Sequence, residues 1–228
     1  MQWQTFSLGT HHGPRMSSGP SNAGDAHRVD PDLASKRRAD LKRSVEYHGH
    51  LCMGQVLGVH IAEAGMKAAG TDDPKHMIVV VENDRCIADA LQILTGTRLG
   101  RRSMKLVDYG KMAATFLNQK TDEAYRVWVS GKVNELVGKP PSGEGKELAL
   151  ERLLLTPSKS VVSVCRVRLV LAKKDLPGKP DRTVRCTNCG EKVMDGKDII
   201  GSEGPQCIAC ARGPYYEEFE GDDNEGGR

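Results

Sequence analysis

Five residues, His48-Gly49-His50-Leu51-Cys52, put two imidazoles and a thiol at alternate positions. On an extended loop, residues two apart point the same way, so all three side chains can converge. Imidazole nitrogen and thiolate sulfur are the donors that zinc and iron favour. A further cysteine, Cys86, follows the run HMIVVVEN, and Asp89 lies three residues beyond it. Cys52 and Cys86 both fall at expected helix N-termini, where the helix dipole and free N–H groups favour thiolate. The residues nominate His50, Cys52 and Cys86 as a metal site. His48 or Asp89 then serves as a fourth ligand or as the group that orients one. The competing reading is an ordinary buried helix start. In it Cys52 is a small hydrophobe, the histidines satisfy backbone groups, and Gly54 and Gly58 are packing positions. Cys165, inside a β-branched run, reads as core.

The other cysteines lie near the C-terminus, in CTNCGEKVMDGKDIIGSEGPQCIAC. Cys186 and Cys189 form one C-x-x-C pair and Cys207 and Cys210 another, with seventeen residues between the pairs. That spacing is the signature of a four-cysteine zinc site. Gly190 stands directly after the second cysteine, where a knuckle turn wants positive φ. A closed shell of four thiolates leaves no position for water, so this zinc is structural rather than catalytic. The module has few apolar residues and needs its metal to fold. Disulfides are the weaker reading. Seven cysteines, four of them paired in this way and with no secretory leader pattern, suit a reducing cytoplasm.

The elements that must position these residues follow from periodicity. Residues 30–47 form a helix with Leu33, Arg37, Leu41 and Val45 on one stripe, Asp30 as N-cap, Pro31 at its first position and Gly49 at its end. Residues 53–69 form a second, largely apolar helix closed by Gly70. HMIVVVEN is a central strand. Ile87, Ala90, Leu91 and Leu94 have helical spacing, ending at Gly96. Strands follow at 104–106, 113–117 and 125–129, then helices at 134–137 and 144–155 around GKPPSG, then a strand over 161–171. The order β-α-β-β-β-α-α-β is no regular βαβ alternation. It predicts an α+β fold, an antiparallel or mixed sheet with helices packed on it, plus a small C-terminal zinc-binding module. The domains read as a disordered arm (1–28), the α+β core (29–172), a linker (173–184), the zinc finger (185–216) and an acidic disordered tail (217–228). His11 and His12 lie in the arm and carry no specific expectation.

Bulk composition narrows the function classes. Aromatic residues are 4% of the chain, so the core must be aliphatic. No apolar run of about 18 residues is present, which excludes a helical membrane span. The net charge of +3 gives no reason to invoke nucleic acid, and protein contact ranks above it for the zinc module.

YHGHLCMGQVLGVHIAEAG, followed by VENDRCIADALQILTGTRLGRRSMKLVDYGKMAATF, resembles the FmdE family, which takes its name from a component of formylmethanofuran dehydrogenase. Its marks are a [FY]-H-G-H-x-C-P-G segment, a downstream C-x-x-D-A-[IL]-Q with T-G and G-[KR], and G-K-M-A. The likeness is clearest over residues 45–129 and weaker to 170. The C-terminal module resembles the treble-clef zinc finger that some members carry. The resemblance implies a core that forms a homodimer, and a cleft where the two motifs meet. His50, Cys52 and Cys86 match the positions expected to bind a metal there, and His48 and Asp89 match flanking positions. Met53 replaces the family's proline. Thr97 stands where many members have a cysteine, which favours a three-ligand site with an open position. The family name ties the chain to a molybdenum or tungsten enzyme. The chain shows neither a ferredoxin-type cysteine series nor a recognisable pterin-binding segment, so an accessory, metal-binding role is expected, with zinc in the module and a second metal ion in the core cleft. Two other roles stay open: a stand-alone zinc-dependent enzyme using His50, Cys52 and Cys86, and a dimeric zinc-finger adaptor.

Overall fold

A computed structural model describes residues 30–137 and 144–217. The arm at 1–28, the GKPPSG segment and all but the first residue of the acidic tail lie outside the described residues.

The core is α+β. Helix α1 (Pro31–His48) starts where Asp30 accepts from the backbone N–H of Asp32, and ends at Gly49 in the left-handed conformation, φ 94°. Its inner stripe is Ala34, Arg37 and Ser44, with Leu41 half-buried, one residue round from the expected stripe at Leu33 and Val45. Arg37 causes the shift. It is buried, and all five of its N–H donors are used. Nε and Nη2 hold Glu63 at 2.7 and 2.9 Å, Nη1 donates to the Leu154 and Thr156 carbonyls, and Nη2 also reaches Ser158. A buried guanidinium is tolerable only when paired and fully hydrogen-bonded, so the helix turns to satisfy it.

Helix α2 (Met53–Ala69) is the centre of the core. Val56, Val59, Ile61 and Ala62 are almost wholly buried, and fully burying each larger side chain contributes roughly 1.5–3 kcal/mol. Strand β1 (Met77–Val81), helix α3 (Cys86–Thr95) and strand β2 (Met104–Leu106) form a parallel crossover, with Val80 opposite Lys105. Strands β3 (Ala113–Asn118) and β4 (Glu123–Val129) pair antiparallel beyond β1. Helices α4 (Val133–Val137), α5 (Glu144–Leu155) and the single turn α6 (Ser158–Val161) lead into strand β5 (Val162–Val167). The sheet order is β2-β1-β3-β4-β5, mixed because β1 and β2 run parallel.

The last expected strand, 161–171, is shorter in the structure. Residue 161 closes the α6 turn, and pairing stops at Val167. Leu169 and Leu171 instead pack with Ile78, Leu117 and Ala124 on the sheet face opposite α2. Cys165 is exposed and not core, because β5 is an edge strand with a partner on one side only.

After a 3-10 turn at Lys173–Asp175, the C-terminal module consists of two hairpins and a short helix. They are β6 (Thr183–Arg185) with β7 (Lys192–Met194), β8 (Ile199–Gly201) with β9 (Gly204–Gln206), and α7 (Ile208–Arg212). Arg102, in the loop before β2, ties the module to the core by donating to Asp195 at 2.5 Å and to the Lys174 carbonyl.

Candidate metal centres

The C-terminal cluster is local. The first pair of cysteines sits in the β6–β7 turn, where the N–H of Cys186 donates to the Glu191 carbonyl and that of Gly190 to the Cys186 carbonyl. Gly190 takes φ 75°, a conformation glycine adopts without cost. Cys207 is the N-cap of α7, and its sulfur accepts from the N–H of Cys210 at 3.3 Å. All four sulfurs lie within 4.8 Å of one another. Backbone N–H groups, that of Cys189 foremost, lower the Cys186 thiol to about 6. The Cys207 thiol beside it, more than any other neighbour, drives Cys210 up to about 12. Thiols this crowded cannot all ionise unless a cation joins them, which is the condition a bound divalent metal meets.

The core cluster depends on the fold. His48 is the last residue of α1, and Cys52 is the N-cap of α2. The left-handed turn at Gly49 folds the chain back between them, so the rings of His48 and His50 come together with centroids 4.5 Å apart, tilted by 37°. One ligating atom from each of His48, His50 and Cys52 lies within 4.8 Å of the others. His48 Nδ1 is held at 2.8 Å by the Asp89 carboxylate of α3. Its Nε2 is buried and has no hydrogen-bond partner. A buried ring nitrogen without a partner is costly unless something else occupies its lone pair. Carboxylate, imidazole and free nitrogen in line form the arrangement that orients histidine toward metal.

Cys86, expected among the ligands, is the first residue of α3 and lies beside Cys52 across Gly54, but it is not one of the three clustered ligands. Nor does it favour thiolate. Burial, followed by the neighbouring Cys52, pushes its thiol up. Asp89 stands behind His48 and orients it.

Two supports escaped sequence reasoning. Ser44 hydrogen-bonds Gln55 Oε1, and Gln55 Nε2 donates to the Cys86 carbonyl at 2.7 Å, so one buried glutamine ties α1, α2 and α3 together beneath the cluster. Asn83 donates to the Lys111 carbonyl and accepts from the N–H of Arg85, shaping the turn that delivers Cys86. A glutamine inside an otherwise apolar helical face was the available signal for the first. The glycines of α2 allow the approach of α3. A Cβ on Gly58 would meet Ala90 Cβ at 2.3 Å, and one on Gly54 would meet Cys86 Cβ at 2.6 Å. An open hollow of about 440 Å³, lined by Met53, Gly54, Leu57, Met112, Val129 and Val133, adjoins this first turn of α2.

Residues 47–164 match the sequence model of a family described as "FmdE, Molybdenum formylmethanofuran dehydrogenase operon". A curated protein of Archaeoglobus fulgidus, named as a probable S-adenosyl-L-methionine-binding protein, is 32% identical over 210 residues. The alignment takes in 80% of this chain but 55% of that protein, so the chain spans about half of its relative. A crystal structure of a tungsten formylmethanofuran dehydrogenase FmdE-like protein from Syntrophus aciditrophicus superimposes with a TM-score of 0.57 at 19% identity. The superposition covers 79% of this chain and 95% of that one, and at this identity it speaks to the fold alone.

Proposed function

Because the chain belongs to the FmdE family, we propose that it is a metal-binding accessory protein serving a molybdenum or tungsten formylmethanofuran dehydrogenase. In this reading the core carries a metal at His48, His50 and Cys52, and the C-terminal module, a treble clef, carries a structural zinc. The observation that carries the reading is His48: one nitrogen is fixed by Asp89, the other is buried without a partner beside a second histidine and a cysteine. Cys86 stands against the Cys52 sulfur, at the edge of the centre. A divalent metal held there would act as a Lewis acid on whatever took its remaining position. The protein's part is to fix one imidazole, supply one sulfur and leave His50 at the surface.

The reading places the protein as a homodimer in a reducing cytoplasm. Among the described residues, no helix is long and apolar enough to cross a membrane. The exposed His50 and the neighbouring hollow also suit a stand-alone metal enzyme, whereas an adaptor that merely dimerises would need only the C-terminal metal.

Elemental analysis of purified protein separates these roles. Two metals per chain are expected, one of them exchangeable with a mild chelator and absent from His48→Ala. A single metal in the wild type, unchanged by His48→Ala, overturns the core centre. Exchange without turnover of small carbonyl or ester substrates supports the accessory role, and metal-dependent turnover supports the enzyme. Light scattering should give twice the 24.9 kDa chain mass.

A further inference from the structure

Cys52 and Cys86 are partly buried thiols at the starts of two helices that meet at a glycine. A Cβ built on Gly54 would lie 3.4 Å from the Cys86 sulfur and 3.7 Å from the Cys52 sulfur. Both sulfurs therefore border the same space, about the size of one methyl group, beside Gly54. Both backbones are pinned: Cys86 by the Gln55 side chain on its carbonyl, Cys52 by the N–H groups of Gln55 and Val56 on its own. Among the other cysteines, four belong to the C-terminal cluster and Cys165 lies on the edge strand. Each core thiol thus has the other as its ready partner.

We propose that Cys52 and Cys86 form a reversible dithiol–disulfide pair, and that its oxidation by a peroxide withdraws the Cys52 sulfur from the core cluster. The chemistry balances. The Cys52 sulfur attacks a peroxide oxygen, an S–O bond forms, the O–O bond breaks, and the departing oxygen takes a proton and leaves as water. The Cys86 sulfur then attacks the sulfenic sulfur, the S–S bond forms, and the second oxygen leaves as water. The thiols lose two electrons and two protons, and the peroxide gains them. The same sulfur cannot be both thiolate ligand and disulfide, so the metal is held only while the pair is reduced. The gating rests on the core-centre reading; the bond itself does not.

The test treats the full chain, metal-loaded and chelator-treated, with hydrogen peroxide, then blocks free thiols and digests with trypsin. Cleavage after Arg43, Lys67, Arg85 and Arg98 places Cys52 alone on residues 44–67 and Cys86 alone on 86–98. The expected product is a cross-link between these two peptides that dithiothreitol removes. In the loaded protein one metal equivalent should leave with oxidation and rebind after reduction. In Cys86→Ser the cross-link disappears and dithiothreitol no longer restores metal lost to over-oxidised Cys52. Sulfinic acids without a cross-link, or cross-links from either thiol to the C-terminal cysteines, overturn the pair. Peroxide release that remains fully reversible in Cys86→Ser overturns the gating. A cross-link in a protein that holds a single metal leaves the pair standing and removes the core centre.

Discussion

The two cysteine clusters are built on opposite plans. In the C-terminal module every ligand comes from one stretch of 25 residues, and the surrounding hairpins are three-residue strands with little buried surface. There a bound metal would take the place of a hydrophobic core. In the α+β core the fold stands on its own apolar interior, and the cluster is an attachment to it. Its three candidate ligands span five residues, but Asp89, which orients the first of them, lies 41 residues beyond His48. One site is the reason for its fold, while the other is a consequence of its fold. Ligand loss should therefore unfold the first region and merely empty the second.

The largest effect should come from Cys189→Ser. Structural zinc supplies on the order of 10–16 kcal/mol in small modules, so this variant should lose one metal and become protease-sensitive between β6 and α7. The core should melt as before, as followed by limited proteolysis with elemental analysis. A module that stays resistant without metal would erase the contrast.

The converse change is Arg37→Met. Removing one partner of a buried ion pair costs about 3–5 kcal/mol, and Glu63 is left behind. Urea unfolding should show that loss in the core, with the C-terminal metal retained. Simultaneous loss of both regions would make them one cooperative unit.

A smaller effect, again confined to the core, should appear with acid. His60 is fully buried, with Nε2 on the Leu153 carbonyl and Nδ1 at Ser158. Burial, then the Arg37 charge, lowers it to about 4. The folded value lies below the unfolded one of about 6.5, so between them the unfolded chain binds the extra proton. The contribution is complete above about pH 6.5 and is lost as pH falls toward 4, about 3 kcal/mol in all. Urea midpoints across that window should fall for the wild type and stay flatter for His60→Gln.

The finest discrimination is Asp89→Asn. Loss of an orienting carboxylate typically costs 10–100-fold in metal affinity. Competition with a chelating dye should show that weakening at the core centre and no change at the C-terminal one.

What could be read from sequence divides along the same line. The helix at 31–48 was legible because a cap and a glycine mark its ends, and that at 53–69 because of its apolar run and the glycine that closes it. The C-x-x-C pairs were legible because ligand, turn and spacing share one window. The inner stripe of α1 was not, because an arginine with five hydrogen bonds to four residues, up to 121 positions away, outvotes the apolar pattern. Cys165 was misplaced because β-branching marks a strand but not its position in a sheet. Cys86 was nominated from its helix position and the family resemblance; it stands outside the cluster of His48, His50 and Cys52, and burial, then Cys52, pushes its thiol up. Nothing local to Gln55 announces that its side chain supports two other helices.

The arginine on α1 also sets a schedule. Its hydrogen-bond partners include Ser158, 121 residues downstream. At roughly 5–20 residues per second a ribosome delivers that serine about 6–24 s after Arg37 itself. For that interval the guanidinium can reach Glu63 on α2 but lacks the Leu154, Thr156 and Ser158 partners that complete its set, so α1 is held to its final rotation only late. His48, at the far end of the same helix, waits with it. The first candidate ligands to be synthesised thus sit on a helix whose seat is completed only when nearly the whole α+β domain has emerged.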